Sequence, residues 1–142
     1  APLPERLVLG APDAVIDDAA SQWGSGAKVF DVETRAAYVA MLSDPARVGA
    51  ICEEYRAGAS LDRIHDEADR REGRRISCPV LALWSATGAL EHWYAADGGP
   101  LGLWRGWADA VEGRPVEGGH FFPEEFPERT AERLRRFLAG LS

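Results

Sequence analysis

Basic residues are scarce in this sequence: sixteen lysines and arginines stand against twenty-three aspartates and glutamates, for a formal net charge of -7. The phosphate-neutralising surface that nucleic acid requires is therefore lacking, and nucleic acid is excluded as a partner. Long apolar runs are missing as well. No stretch approaches the roughly 20 residues of a membrane span. The opening APLPERLVLG also has no basic segment leading into an apolar one, so neither a membrane partner nor an export signal is read and a cytoplasmic protein is expected. Cysteine is limited to Cys52 and Cys78, which fit neither a disulfide framework nor a zinc pattern. Both lie in apolar sequence and read as small buried hydrophobes. What is present, 46% hydrophobic and 27% charged residues over 142 positions, suits a soluble folded domain with a real core and argues against disorder.

The first half reads as helical. Up to about residue 26 the chain is rich in Pro, Gly and Ala, giving a connection and one short helix around residues 13–22. Asp31 can cap a helix carrying Ala37, Tyr38, Met41 and Leu42 at helical spacing. Asp44, with Pro45 behind it, opens another in which Val48, Ile51, Cys52 and Tyr55 recur at i, i+3, i+4 and i+7. That stripe puts Tyr55 on the packed face. Ser60 starts a third helix through Leu61, Ile64 and Ala68, whose outer face carries the charges of DEADRREGRR.

At Ile76 the pattern changes. ISCPVLALW is a nearly continuous apolar run ended by SATG, the mark of a strand buried on both faces of a parallel sheet. Leu103, Trp107, Ala110 and Val111 fall at helical spacing up to a stop at Gly113, RPVEGG reads as a second strand, and PEEFPERTAERLRRFLAGL closes as an amphipathic helix with Ala131, Leu134, Leu138 and Leu141 inward. The fold class is α/β. Helices come first, then strand, helix, strand, helix. Two strands are fewer than a stable sheet usually needs, so the chain reads as incomplete.

His120 carries the strongest chemical signal. It follows a strand and two glycines, on a loop at the carboxyl end of a parallel strand, where open α/β sheets put their ligands. Imidazole is the side chain best suited to general-base work near neutral pH; the alternative is a loop histidine that bonds backbone. Trp84, Trp93, Trp104 and Trp107 read as core or interface residues. His65 and His92 have no partner at metal-ligand spacing. Glu124 and Glu125 read as polar sequence favouring the start of the last helix, with no catalytic role.

GGHFFPEEFPERTAERLRRFL resembles the catalytic-histidine loop and last helix of α/β-hydrolases, and CPVLALWSATGAL resembles the strand and loop before them. EEYRAGASLDRIHDEAD is similar to the cap segment of haloacetate (fluoroacetate) dehalogenases. The resemblance implies a helical cap segment over residues 1–73 and the C-terminal part of an α/β-hydrolase core over residues 74–142. It implies no cofactor and no metal. His120 would be the hydrolytic base, Tyr55 the hydrogen-bond donor to the departing halide, and Trp23 a cap residue at the pocket entrance, all acting on a small haloacid. The loop Ser85-Ala86-Thr87-Gly88-Ala89-Leu90 holds no carboxylate, where many α/β-hydrolases carry the triad acid. The fluoroacetate dehalogenase pattern takes that acid from an earlier strand, so nucleophile and acid are both expected upstream of Ala1, in an N-terminal half of the core. No nucleophile elbow occurs within the chain. Two rivals remain. One is another α/β-hydrolase, such as an epoxide hydrolase, with Tyr55 donating to the epoxide oxygen. The other is a truncated, non-catalytic fragment that pairs with a partner chain or a second copy of itself.

Overall fold

The computed structural model describes residues 2–25 and 29–141; Gly26, Ala27 and Lys28 of the glycine-rich stretch fall outside the described residues. The chain divides into two compact units. One comprises Ala1–Gln22 and Phe30–Gly73, the other Trp23–Val29 and Arg74–Ser142.

The first unit is helical: α1 (Leu3–Gly10), α2 (Pro12–Trp23, its last residue counted with the second unit), α3 (Val32–Leu42), α4 (Pro45–Gly58) and α5 (Leu61–Glu72). α1 occupies sequence that reads as a connection. Its proline lies in the first turn, where no intrahelical N–H is lost. Asp31 caps α3 by accepting from the Thr34 N–H at 2.7 Å, and Asp44 caps α4 through the Ala46 and Arg47 N–H groups at 2.8 and 3.4 Å, as serine-like side chains do at orphan donors. The core is Ile16, Leu42 and Val48, flanked by half-buried residues including Val8, Tyr38, Ile51 and Cys52. Burying a side chain such as Val48 contributes about 1.5–3 kcal/mol. Asp17 receives Arg35 in a two-pronged ion pair at 2.6 and 2.7 Å. Buried Glu5 receives Arg56 at 2.6 Å; this guanidinium holds the Glu5 carboxyl below its ordinary range, and Glu5 in turn raises Arg56.

Three inward assignments are corrected here. Tyr55 is 78% exposed: it continues the stripe of Val48, Ile51 and Cys52, but the core cluster ends one turn earlier. Leu61 and Ile64 of α5 are exposed too, because no residue of α5 joins that cluster. Cys78 is exposed and Cys52 half-buried.

The second unit carries β1 (Val80–Ser85), α6 (Leu90–Trp93), a 3-10 turn (Ala95–Asp97), α7 (Gly99–Arg105), β2 (Val111–Val116), α8 (Phe122–Glu125) and α9 (Pro127–Ala139). β1 and β2 pair in parallel from Val80↔Val111 to Ser85↔Val116. α7 stops at Arg105, so the expected helix up to Gly113 is overturned and the strand begins earlier, at Val111. Arg75 explains the stop. Its guanidinium donates to the carbonyls of Arg105 (2.9 Å), Gly106 (3.0 Å) and Ala108 (2.5 Å) and to Asp109 (2.7 Å). Those carbonyls are thereby satisfied outside a helix, and Ala108 lies beside Ile76 as a parallel bridge that leads both chains into the sheet. Gly113 stands opposite Ala82, where a Cβ would overlap the Ala82 carbonyl oxygen. The Gly113 read as a helix stop is thus a close-approach residue of the strand. In α9, Phe137 is half-buried while Leu134 and Leu138 are exposed, the latter at 60%. The stripe read as inward is therefore exposed at Leu134, Leu138 and Leu141, with Ala131 half-buried. Among the described residues no helix is long and apolar enough to cross a membrane.

Candidate active site

β1 and β2 end side by side at Ser85 and Val116, and the loops leaving them meet. The Ala86 N–H donates to the Val116 carbonyl at 2.9 Å, extending the pairing past the strands. The buried Ser85 hydroxyl then donates to the Gly118 carbonyl at 2.6 Å, and the Thr87 N–H donates to Ser85 Oγ at 3.2 Å. The loop after β1, which holds no carboxylate up to Leu90, thus fastens the neighbouring loop with hydroxyls. Glu91, the first carboxylate after it, accepts from the Trp84 indole at 2.5 Å.

Gly118 and Gly119 are required by the path of that loop. Gly118 has φ +116°, a conformation open to glycine, and a Cβ on it would approach Phe122 and Phe126. A Cβ on Gly119 would lie 2.5 Å from the Trp23 oxygen and the Gly24 carbonyl carbon. The two glycines let the chain turn sharply and lie flat against residues 23–25, bringing out His120 at the carboxyl end of β2.

His120 is exposed, and its backbone N–H donates to the Trp23 carbonyl at 2.6 Å. Its ring meets Trp23 edge to face at a centroid distance of 5.6 Å and Phe121 at 5.0 Å. Among the described residues the imidazole has these ring contacts and no side-chain hydrogen bond, so its nitrogens are open to a ligand or a further residue. The Trp23 ring is 60% exposed beside it. Two of the three residues singled out from the sequence, His120 and Trp23, are thus neighbours within one unit. Tyr55 belongs to the other unit, on the last turn of α4 with its side chain turned to solvent.

One participant escaped the sequence reading. Glu125, read only as polar sequence before the last helix, turns its carboxylate back on the loop and accepts from the Gly119 N–H at 2.9 Å, the Ser25 N–H at 3.2 Å and the Ser25 hydroxyl. Nothing in the periodicity marks a glutamate whose partners lie six and one hundred positions away. Among the described residues no group of His, Cys, Asp and Glu is arranged to hold a metal ion.

No family model matches the sequence. Over 140 residues the chain is 32% identical to the fluoroacetate dehalogenase of Burkholderia sp., covering 98% of this chain and 44% of that protein. The solved structure of a Nostoc sp. PCC 7120 protein assigned to the α/β hydrolases superposes with a TM-score of 0.84 at 38% identity, over 96% of this chain and 45% of that one. A Pseudomonas aeruginosa protein assigned as an epoxide hydrolase gives the same TM-score of 0.84 and 38% identity, over 97% and 45% of the two chains. The chain thus spans less than half the length of each of these three proteins. A parallel pair with a histidine loop at its carboxyl end, helical sequence ahead of it, and these likenesses lead to one conclusion: the chain has part of the α/β-hydrolase fold and is related to the hydrolases of that superfamily.

Proposed function

We propose that this chain is the C-terminal part of a haloacetate dehalogenase, converting fluoroacetate or chloroacetate to glycolate and halide. Residues 1–73 are its cap segment and residues 74–142 part of its core. An upstream aspartate attacks the α-carbon of the haloacetate; a carbon–oxygen bond forms, the carbon–halogen bond breaks, and its electron pair leaves with the halide. His120 then takes a proton from water and the hydroxide adds to the ester carbonyl; collapse of the adduct breaks the ester bond, the acid proton passes to the departing alkoxide to give glycolate and restore the carboxylate, and His120 releases its proton to solvent. Tyr55 donates to the departing halide, a small anion that needs a donor in a water-poor pocket, and Trp23 walls the entrance. The observation carrying this reading is the His120 loop. It presents an open imidazole beside Trp23, while the preceding loop holds hydroxyls bonded to Gly118 in place of an acid. The likeness to the Burkholderia dehalogenase supports the substrate class. That the relatives run to more than twice this length supports an upstream half of the core.

The test separates the two chemical steps. In the complete enzyme His120→Asn should release about one halide per site and stall as the glycolyl ester, the behaviour of a trapped covalent intermediate. Repeated turnover without an ester adduct by mass spectrometry removes His120 from the mechanism. The likeness to the Pseudomonas protein favours a second reading, an epoxide hydrolase with Tyr55 donating to the epoxide oxygen. Diol formation from an epoxide with no halide release from either haloacetate selects it.

A further inference from the structure

We propose that Glu125 is a positioning residue for His120, holding the base in place by tying the histidine loop to residues 23–25; the proposal rests on the dehalogenase reading above. Three donors from two segments converge on this one carboxylate. Oε2 accepts from the Gly119 N–H at 2.9 Å and from the Ser25 hydroxyl, and Oε1 accepts from the Ser25 N–H at 3.2 Å. The His120 N–H to the Trp23 carbonyl, at 2.6 Å, closes the ring: Glu125 to Gly119, on to His120, across to Trp23, along to Ser25, and back to Glu125. The Gly118 carbonyl is held from the other side by Ser85. Each backbone unit from 118 to 120 therefore has a partner, and the imidazole keeps only its own side-chain torsions, one side of it braced by Trp23.

The chemistry of the donors requires a carboxylate. All three groups facing Glu125 are N–H or O–H, and an ionised carboxylate is the side chain that only accepts. A glutamine there turns its amide N–H bonds toward one of these donors and loses that bond. The base would then sit on a looser loop, and a misplacement of about 1 Å in a reacting group costs on the order of 10²-fold in rate. Only ester hydrolysis uses His120, so only that step should suffer.

The experiment compares the complete enzyme with its Glu125→Gln and Ser25→Ala variants in rapid-quench kinetics on chloroacetate, with amide hydrogen exchange and ring-to-ring nuclear Overhauser effects read in parallel. For Glu125→Gln the first halide per site should leave at the unchanged rate, the steady state should slow about tenfold or more, and the Gly119 and His120 amides should exchange faster. Ser25→Ala, which removes one of the three bonds, should show the same split at smaller size and stands in if the glutamine variant does not fold. Equal slowing of burst and steady state marks general destabilisation and overturns the proposal, as does an unchanged steady state. Should the unaltered enzyme release no halide, the dehalogenase reading fails by itself. The His120–Trp23 ring contact then decides Glu125: its loss in Glu125→Gln, with the remaining spectrum intact, upholds the positioning role, and its retention overturns it.

Discussion

Adding one methyl group at Gly119 tests the close approach on which the histidine loop depends. The Cβ of Gly119→Ala would stand 2.5 Å from the Trp23 oxygen and the Gly24 carbonyl carbon and 2.6 Å from the Ser25 nitrogen. All three atoms are backbone, so no side chain can swing aside. Restoring ordinary contact needs a separation about 1 Å wider, enough to stretch the 2.6 Å bond from the His120 N–H to the Trp23 carbonyl past hydrogen-bonding range. Overpacking of this kind costs about 1–3 kcal/mol and the lost bond about 1 kcal/mol. The expected loss is thus about 2–4 kcal/mol, read as a lowered urea midpoint at unchanged slope. Gly49→Ala supplies the control. It lies inside α4 with no neighbouring atom within 4 Å of the added carbon, so the same substitution should stabilise by about 0.5–1 kcal/mol through helix propensity. A Gly119→Ala protein as stable as the parent would refute the packing of residues 23–25 on the histidine loop.

Tyr55→Phe removes one hydroxyl and keeps the ring, so fluoroacetate turnover in the complete enzyme should fall roughly 10²-fold, by analogy with loss of an oxyanion donor, and chloroacetate turnover by less; equal losses on the two substrates make Tyr55 structural. The Glu5–Arg56 pair should shape the acid limb of stability. Arg56 lowers the Glu5 carboxyl in the folded state, so its stabilisation is fully present above the ordinary carboxylate range and disappears as pH falls through the lowered folded value. Urea midpoints from neutral pH to acid should fall less steeply for Glu5→Gln than for the parent, and parallel curves would mean that the pair contributes nothing to the pH dependence.

Local signals were legible where one residue decides the structure. Asp31 and Asp44 start α3 and α4 as their capping chemistry predicts, and the apolar run ahead of SATG becomes β1. The glycine pair before His120 was legible as a turn, with the histidine at the carboxyl end of the second strand. What escaped depends on partners distant in sequence. Leu103, Trp107, Ala110 and Val111 have helical spacing, yet Arg75, some thirty positions earlier, takes the carbonyls that a longer helix would use. Spacing fixes which residues share a helix face but not how far along that face the neighbours extend, and this left Tyr55 and Leu138 open. Glu125 was read by its neighbours in sequence, whereas its partners Gly119 and Ser25 are gathered by the fold.

The fastening of residues 23–25 to the histidine loop also bears on how such a chain can be recombined. Chain continuity and compactness divide it differently, since Trp23–Val29 sits in one unit while the sequence on both sides of it builds the other. An exchange between relatives at residue 73 would carry Trp23 and Ser25 along with the donor's helices and leave Gly119, His120 and Glu125 with the recipient. Such a chimera would join two halves of a fastening shaped in different proteins. Positions 25 and 125 are therefore best exchanged together, since a helical segment taken from a relative brings with it a new seat for the His120 loop.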